Sequence, residues 1–236
     1  MKYIFDVDGT ITPSRCKIES EFISFFSDFI KKNDVYLVTG SDRDKTLEQV
    51  TPEIYNKCKR VYNCSGSDVY EGDKSVYRDD WELSEEVERF LQDELDFSQF
   101  TIRNGNHIER RPGAVNFSIL GRGKDPSVGR KEYVIWDKIY RERLYIARRI
   151  LYSFPDLTVA LGGQTGVDIG PNGSDKSQIL RDFKKGDNIR FFGDRCEKGG
   201  NDYSLAISIA EKHLGYAFKV DGYKDVWEML KKKTNA

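Results

Sequence analysis

The run from Tyr3 to Val7 is β-branched and aromatic, and it ends in Asp6-Val7-Asp8-Gly9. Such a run fits a buried strand that arrives at a loop. Between Glu19 and Lys32, Phe22, Ile23, Phe26, Phe29 and Ile30 recur at helical spacing, and Val35 to Val38 resumes as a strand ending at Thr39 and Gly40. Strand, helix and strand in that order predict a parallel sheet with a crossover helix, whose ligands gather beyond the carboxyl ends of the strands. The last part of the chain returns to this alternation. It predicts a helix from about Asp175, a strand at Ile189 to Phe192, a helix beginning near Asp202, a strand at Tyr216 to Val220 and a helix through Trp227 and Leu230.

The texture differs in between. An acidic helical stretch covers Leu83 to Leu95, and paired strand signals at His107 to Arg111 and Val115 to Leu120 flank Pro112-Gly113, a hairpin signature. Trp136, Tyr140, Leu144, Ala147 and Leu151 mark one face of a long helix, followed by short strands at Leu157 to Leu161 and Gly166 to Ile169. The expected fold class is α/β: a Rossmann-like parallel-sheet core built from 1–80 and 172–236, with an α+β cap inserted at 81–171. The cap is expected to be an open-faced sheet with helices on one side. Gly170 to Ser174 is the hinge candidate.

A length of 236 residues suits two modest units. Lys and Arg total 38 against 39 Asp and Glu, so no global field draws in a nucleic acid or a membrane surface, and any anion site must be built locally. Cys16, Cys58, Cys64 and Cys196 lack CxxC spacing and read as reduced thiols. The opening MKYIFDVDG lacks a signal peptide's apolar stretch, and no later run approaches the ~20 apolar residues of a membrane span. A cytoplasmic location is expected.

Chemistry concentrates at the end of the first strand. Side chains two apart on a strand share a face, so Asp6 and Asp8 can project into one site while Val7 packs the other way. Gly9 lets the backbone turn sharply. Two close carboxylates repel each other, by roughly 1 kcal/mol at 4 Å in water and about 4 at an effective dielectric of 20, and a cation relieves this. Hard oxygen donors beside a phosphate point to Mg²⁺. In this reading Asp6 attacks phosphorus and Asp8 is the acid and base. A calcium loop of the DxDG kind would need a Glu at its twelfth position, which here is Lys17.

Three further elements follow predicted strands or open helices. Thr39-Gly40-Ser41 offers hydroxyls and flexible backbone for phosphoryl oxygens. Lys176 opens a helix, where its charge and the helix end would both favour an anion. Asp194 follows a strand and Asp202 lies in the loop Gly199-Gly200-Asn201-Asp202, so Asp194 can complete a metal shell and Asp202 can orient it. With Asp6 and Asp8 these are the four candidate metal residues.

This order of motifs resembles the haloacid dehalogenase superfamily: FDVDGTIT as the first motif, Thr39-Gly40-Ser41 as the second, Lys176 as the third, and Gly193-Asp194 through Asp202 as the fourth. The segments TITPSRCKI, TGSDRDKTLEQ, NFSILGR, GGQTGVDIGPNGSDK and FFGDRCEKGGND extend the resemblance, over nearly the whole chain, to the eukaryotic-type phosphomannomutases. The resemblance implies a cap of type C2b and a homodimer formed through it. It also implies interconversion of hexose 6-phosphate and hexose 1-phosphate, mannose preferred, with Mg²⁺ and a hexose 1,6-bisphosphate activator. Carried over by motif, the sugar-phosphate contacts fall on Arg15, Arg111, Arg122, Arg130 and Asp168. Guanidinium forks grip phosphate oxygens in pairs, which suits such a task. The chain departs from the family pattern at Gly166, where the family has a serine, and at Ser208, where it places an acid associated with a second cation. The rival readings are a sugar-phosphate phosphatase on the same machinery and a non-catalytic sugar-phosphate-binding protein.

Overall fold

The computed structural model describes residues 1–14, 16–125 and 127–234. The chain divides into two compact units, Met1–Arg78 with Asp175–Ala236, and Asp79–Ser174. Among the described residues no helix is long and apolar enough to cross a membrane.

In the first unit, strand β1 (Lys2–Asp6) is followed by helix α1 (Ser20–Lys32), β2 (Asp34–Val38), α2 (Arg43–Val50), α3 (Pro52–Lys57), β3 (Arg60–Asn63), β4 (Asp68–Glu71) and β5 (Lys74–Arg78). The second unit carries α4 (Glu85–Phe97), β6 (Asn106–Arg111), β7 (Ala114–Arg122), α5 (Arg130–Tyr140), α6 (Glu142–Ser153), β8 (Leu157–Gly162) and β9 (Gly166–Pro171). The chain then re-enters the first unit with a 3₁₀ helix (Lys176–Asp182), β10 (Ile189–Gly193), α7 (Tyr203–Glu211), β11 (Gly215–Lys219) and α8 (Tyr223–Thr234).

The first unit holds a seven-stranded sheet in the order β11-β10-β1-β2-β3-β4-β5. Strands β11 through β3 are parallel, and β4 and β5 continue antiparallel from β3. β1 is central because it is apolar on both faces. Tyr3, Phe5 and Val7 join one core cluster with Phe22 and Phe26 of α1 and Val226 and Leu230 of α8. Phe5 packs between Phe26 and Phe192, with ring centroids 5.2 and 5.0 Å away, and burying such a ring contributes roughly 1.5–3 kcal/mol. Ile4 faces the opposite cluster, with Ile179 and Leu180 of the 3₁₀ helix and Leu205 and Ile209 of α7. The two-residue period of the strand therefore sends Asp6 to the side covered by the 3₁₀ helix and α7.

The second unit is a four-stranded antiparallel sheet in the order β6-β7-β9-β8. Val115, Phe117, Ile119, Val167 and Ile169 cluster with Leu91 of α4, Tyr133 of α5 and Ile146 and Ile150 of α6. The alternate residues Glu109, Asn116 and Asp168 are register partners in a row across the strands, so they emerge on the other face.

The long helix expected through Leu151 is two helices, because Arg141 takes a left-handed conformation (φ 52°) between α5 and α6. A helical count carried across that break fails: Tyr140 and Leu151 are exposed, whereas Tyr133, Ile146 and Ile150 are buried. The helix expected from Asp175 is a seven-residue 3₁₀ helix capped by the Asp175 side chain, which accepts from Ser177 N at 2.7 Å. The helix-end argument for Lys176 therefore does not apply.

Candidate active site

Register brings the motifs of the first unit together. Phe5 pairs with Phe192 on β10 and Asp6 with Val38 on β2, so the ends of β1, β10 and β2 deliver Asp6, Asp194 and Thr39 along one edge. Asp6, Asp194 and Asp202 each present a carboxylate oxygen within 4.8 Å of the others. Lys176 Nζ donates to Asp6 Oδ1 at 2.5 Å and to Asp202 Oδ1 at 2.7 Å. Thr10 Oγ1 donates to Asp6 Oδ2 at 3.0 Å, and the backbone N–H of Arg195 donates to Asp202 Oδ2 at 3.1 Å. Asp6, Lys176 and Asp202 are all buried.

Two glycines make this packing possible. A β-carbon on Gly9, whose φ is +81°, would lie 2.5 Å from Asp194 Oδ2, and one on Gly193 would lie 2.6 Å from Asp202 Oδ2.

The electrostatics favour a cation. Burial pushes Asp6 up to about 7 against the pull of Lys176, and Asp202 and Asp194 push the same way. Burial and the Asp202 charge push Asp194 up to about 6. Although burial draws the Lys176 ammonium down, Asp6 and Asp202 hold it above its ordinary value, so it stays charged. One ammonium faces three carboxylates. The excess negative charge and the hard oxygen donors fit Mg²⁺, with Asp6, Asp194 and Asp202 as the carboxylates that could hold it.

Asp8 does not join this cluster among the described residues. β1 ends at Asp6, so the strand period no longer directs the Asp8 side chain, and its Oδ1 accepts from Gln49 Nε2 of α2 at 2.7 Å. Gln49 was not singled out from sequence; it lies within TGSDRDKTLEQ, but only the fold brings it against Asp8, 41 residues away along the chain. The Thr39 loop is knitted to the loop after β3: Thr39 O accepts from Ser65 N at 2.7 Å and Ser41 O from Cys64 N at 2.8 Å, while Ser41 N donates to Thr39 Oγ1 at 3.1 Å. Gly40 is exposed between them.

In the second unit Arg111, Arg122 and Asp168 cluster on the open face of the sheet. Glu109 is shared, its Oε1 accepting from Arg111 Nε at 2.9 Å while its Oε2 lies 2.6 Å from Arg122 Nε. Asn116 Nδ2 donates to Asp168 Oδ1 at 2.5 Å, and its Oδ1 accepts from Arg122 Nη2 at 2.6 Å. Burial lowers the Arg122 pKa, and Glu109 opposes that fall. Arg130 Nη1 reaches Gln164 Oε1 at 3.4 Å. Glu109 and Asn116 were not foreseen; their strand register with the predicted residues was the available signal. Arg15 lies outside the described residues.

This geometry can be set beside known proteins. A haloacid dehalogenase-like hydrolase from Bacteroides thetaiotaomicron superposes with a TM-score of 0.56 at 14% identity, covering 87% of this chain and 84% of that one, and so shares the fold. The phosphomannomutase of Saccharomyces cerevisiae is 31% identical over 229 residues, covering 91% of this chain and 87% of the relative. That of Drosophila melanogaster is 35% identical over 218 residues, covering 86% and 84%. The family model for eukaryotic phosphomannomutase matches residues 22–234, which takes in Lys176, the Asp194–Asp202 segment and the arginine-bearing sheet, and the chain accordingly belongs to the eukaryotic phosphomannomutase family.

Proposed function

We propose that the protein interconverts hexose 6-phosphate and hexose 1-phosphate, with mannose as the preferred sugar, through a phosphorylated Asp6. The observation that carries this reading is the buried Asp6 at the tip of β1, held by Lys176 beside two further carboxylates, in a chain that matches phosphomannomutases over most of its length.

In the first half-reaction an Asp6 oxygen bonds to phosphorus as the bond to the donor oxygen breaks, and Asp8 supplies the proton that oxygen needs. In the second, the acceptor hydroxyl gives its proton to Asp8 and takes the phosphoryl group from Asp6. Mg²⁺ bound at the carboxylate cluster would place positive charge against the phosphoryl oxygens. Lys176 favours the ionised form of Asp6 and orients it, and Gln49 fixes the Asp8 side chain. Thr39, Gly40 and Ser41 receive the phosphoryl oxygens. Arg15, Arg111, Arg122 and Arg130 hold the phosphate that is not being transferred, and Asp168 accepts from a sugar hydroxyl. A hexose 1,6-bisphosphate primes Asp6.

The reading includes a homodimer formed through the inserted unit. Ile135, Ile139 and Tyr140 of α5 are more than half exposed and border a groove of about 490 Å³ that also meets Phe100, Ile102 and Trp136, an apolar face suited to a second copy.

The test measures hexose 1-phosphate conversion and free phosphate release side by side, with and without hexose 1,6-bisphosphate, in the parent and in Asp6→Asn. Bisphosphate-dependent isomerisation that Asp6→Asn abolishes is expected. Phosphate release without isomerisation would make the protein a phosphatase, and turnover retained by Asp6→Asn would remove Asp6 as the nucleophile.

A further inference from the structure

Asn116 stands mid-strand on β7, in register with Glu109 on β6 and Asp168 on β9. Its side chain is 2% exposed, and a buried amide is costly unless its donor and acceptor are both satisfied. Here they are: Nδ2 donates to Asp168 Oδ1 at 2.5 Å, and Oδ1 accepts from Arg122 Nε at 3.0 Å and Nη2 at 2.6 Å. An amide suits this position. An ionised Asp168 only accepts and a guanidinium only donates, so the group between them must do both.

The neighbouring backbone is shaped around this amide. A β-carbon on Gly166 would lie 2.5 Å from Asn116 Nδ2 and 2.6 Å from its Oδ1. A β-carbon on Gly162, the register partner of Gly166, would lie 2.3 Å from Asp168 Oδ2. Neither glycine is among those with positive φ. The backbone there suits any residue, so what these positions require is empty space.

We propose that Asn116 is a positioning residue that fixes the Arg122 fork and the Asp168 carboxylate relative to each other, and that Gly166 is the position that admits it. The functional part rests on the reading of Arg122 and Asp168 as sugar-phosphate contacts. The consequence is a preorganised pair in which the guanidinium is aimed at phosphate and the carboxylate at a hydroxyl. Neither has to be ordered when substrate arrives.

The experiment compares Asn116→Ala, Asn116→Asp, Gly166→Ser and the double variant Gly166→Ser/Asn116→Ala with the parent, by steady-state kinetics on hexose 1-phosphate and by thermal unfolding. Losing hydrogen bonds to charged partners should raise KM about tenfold or more in Asn116→Ala, with a smaller fall in kcat. Asn116→Asp, which places like charge against Asp168, should do the same. Gly166→Ser should lower Tm, and adding Asn116→Ala should restore part of the loss. The proposal is overturned if KM stays within about twofold of the parent while kcat falls, as a merely structural role would give, or if Gly166→Ser unfolds at the parental temperature. A parent that turns over no hexose phosphate would refute the proposed function instead, and the thermal cycle would still decide whether Asn116 and Gly166 are coupled.

Discussion

Lys176 Nζ stands 2.7 Å from Asp202 Oδ1 and 2.5 Å from Asp6 Oδ1, with all three side chains buried. One ammonium is therefore shared by two carboxylates that are buried away from bulk solvent. Removing it leaves like charges uncompensated, a change that typically costs about 3–5 kcal/mol in a buried pair. Lys176→Met is predicted to lose stability of that order in urea unfolding without divalent cation, and to lose turnover. A loss below about 1 kcal/mol would show that the ammonium contributes little to holding the carboxylates.

The crowded carboxylates also set a pH dependence. Asp6 moves from 3.8 to about 7 and Asp194 from 3.8 to about 6. A carboxyl whose folded pKa is raised binds its proton more tightly in the native state. Its penalty is absent below the unfolded value and grows as pH rises to the folded one. The metal-free protein should therefore lose stability between about pH 4 and pH 7 from these two groups. A cation needs them ionised, so the rise in Tm on adding Mg²⁺ should be larger at about pH 7 than at about pH 5. An equal rise at both would argue against a cation at this cluster.

Gln49 is predicted to act through Asp8. Its Nε2 lies 2.7 Å from Asp8 Oδ1, and a hydrogen bond to a charged group contributes about 1.5 kcal/mol or more, roughly tenfold in rate. Gln49→Leu keeps the buried volume but removes the donor. The expected result is a kcat lowered about tenfold with KM changed much less. A KM effect alone would place Gln49 in binding and leave Asp8 orientation to other contacts.

The sequence showed the core wherever periodicity ran unbroken: β1, α1 and β2 at the start, and β10, α7, β11 and α8 at the end, match the expected elements closely. It did not show β3, β4 and β5, which are short strands of four or five residues separated by tight turns. Asp6, Lys176, Asp194 and Asp202 were legible because each stands at the end of an element, where chain order and sheet topology suffice to bring them together. Glu109, Asn116 and Gln49 were not, because their roles come from cross-strand register and a helix packed against a distant loop. Gly166 appeared only as a departure from a family pattern. Its meaning came from the amide occupying the space its side chain would need.

Gly9 and Gly40 offer a final contrast, because both lie in candidate phosphate loops yet meet different surroundings. Gly9 has a φ of +81° and Asp194 Oδ2 2.5 Å from the place a β-carbon would take, whereas Gly40 has nothing nearer than Ser65 Oγ at 4.0 Å. A left-handed conformation costs an ordinary residue roughly 1–2 kcal/mol, and overpacking adds about 1–3. Gly9→Ala is therefore predicted to destabilise the protein by at least about 2 kcal/mol and to disturb Asp194, weakening Mg²⁺-dependent stabilisation. Gly40→Ala should unfold at close to the parental temperature, since its methyl group enters open space. If Gly40→Ala nonetheless loses most of its turnover, that methyl obstructs a bound phosphoryl group, which assigns the Thr39-Gly40-Ser41 loop to the reaction. Full activity in a stable Gly40→Ala would take the loop backbone at that residue out of contact with substrate.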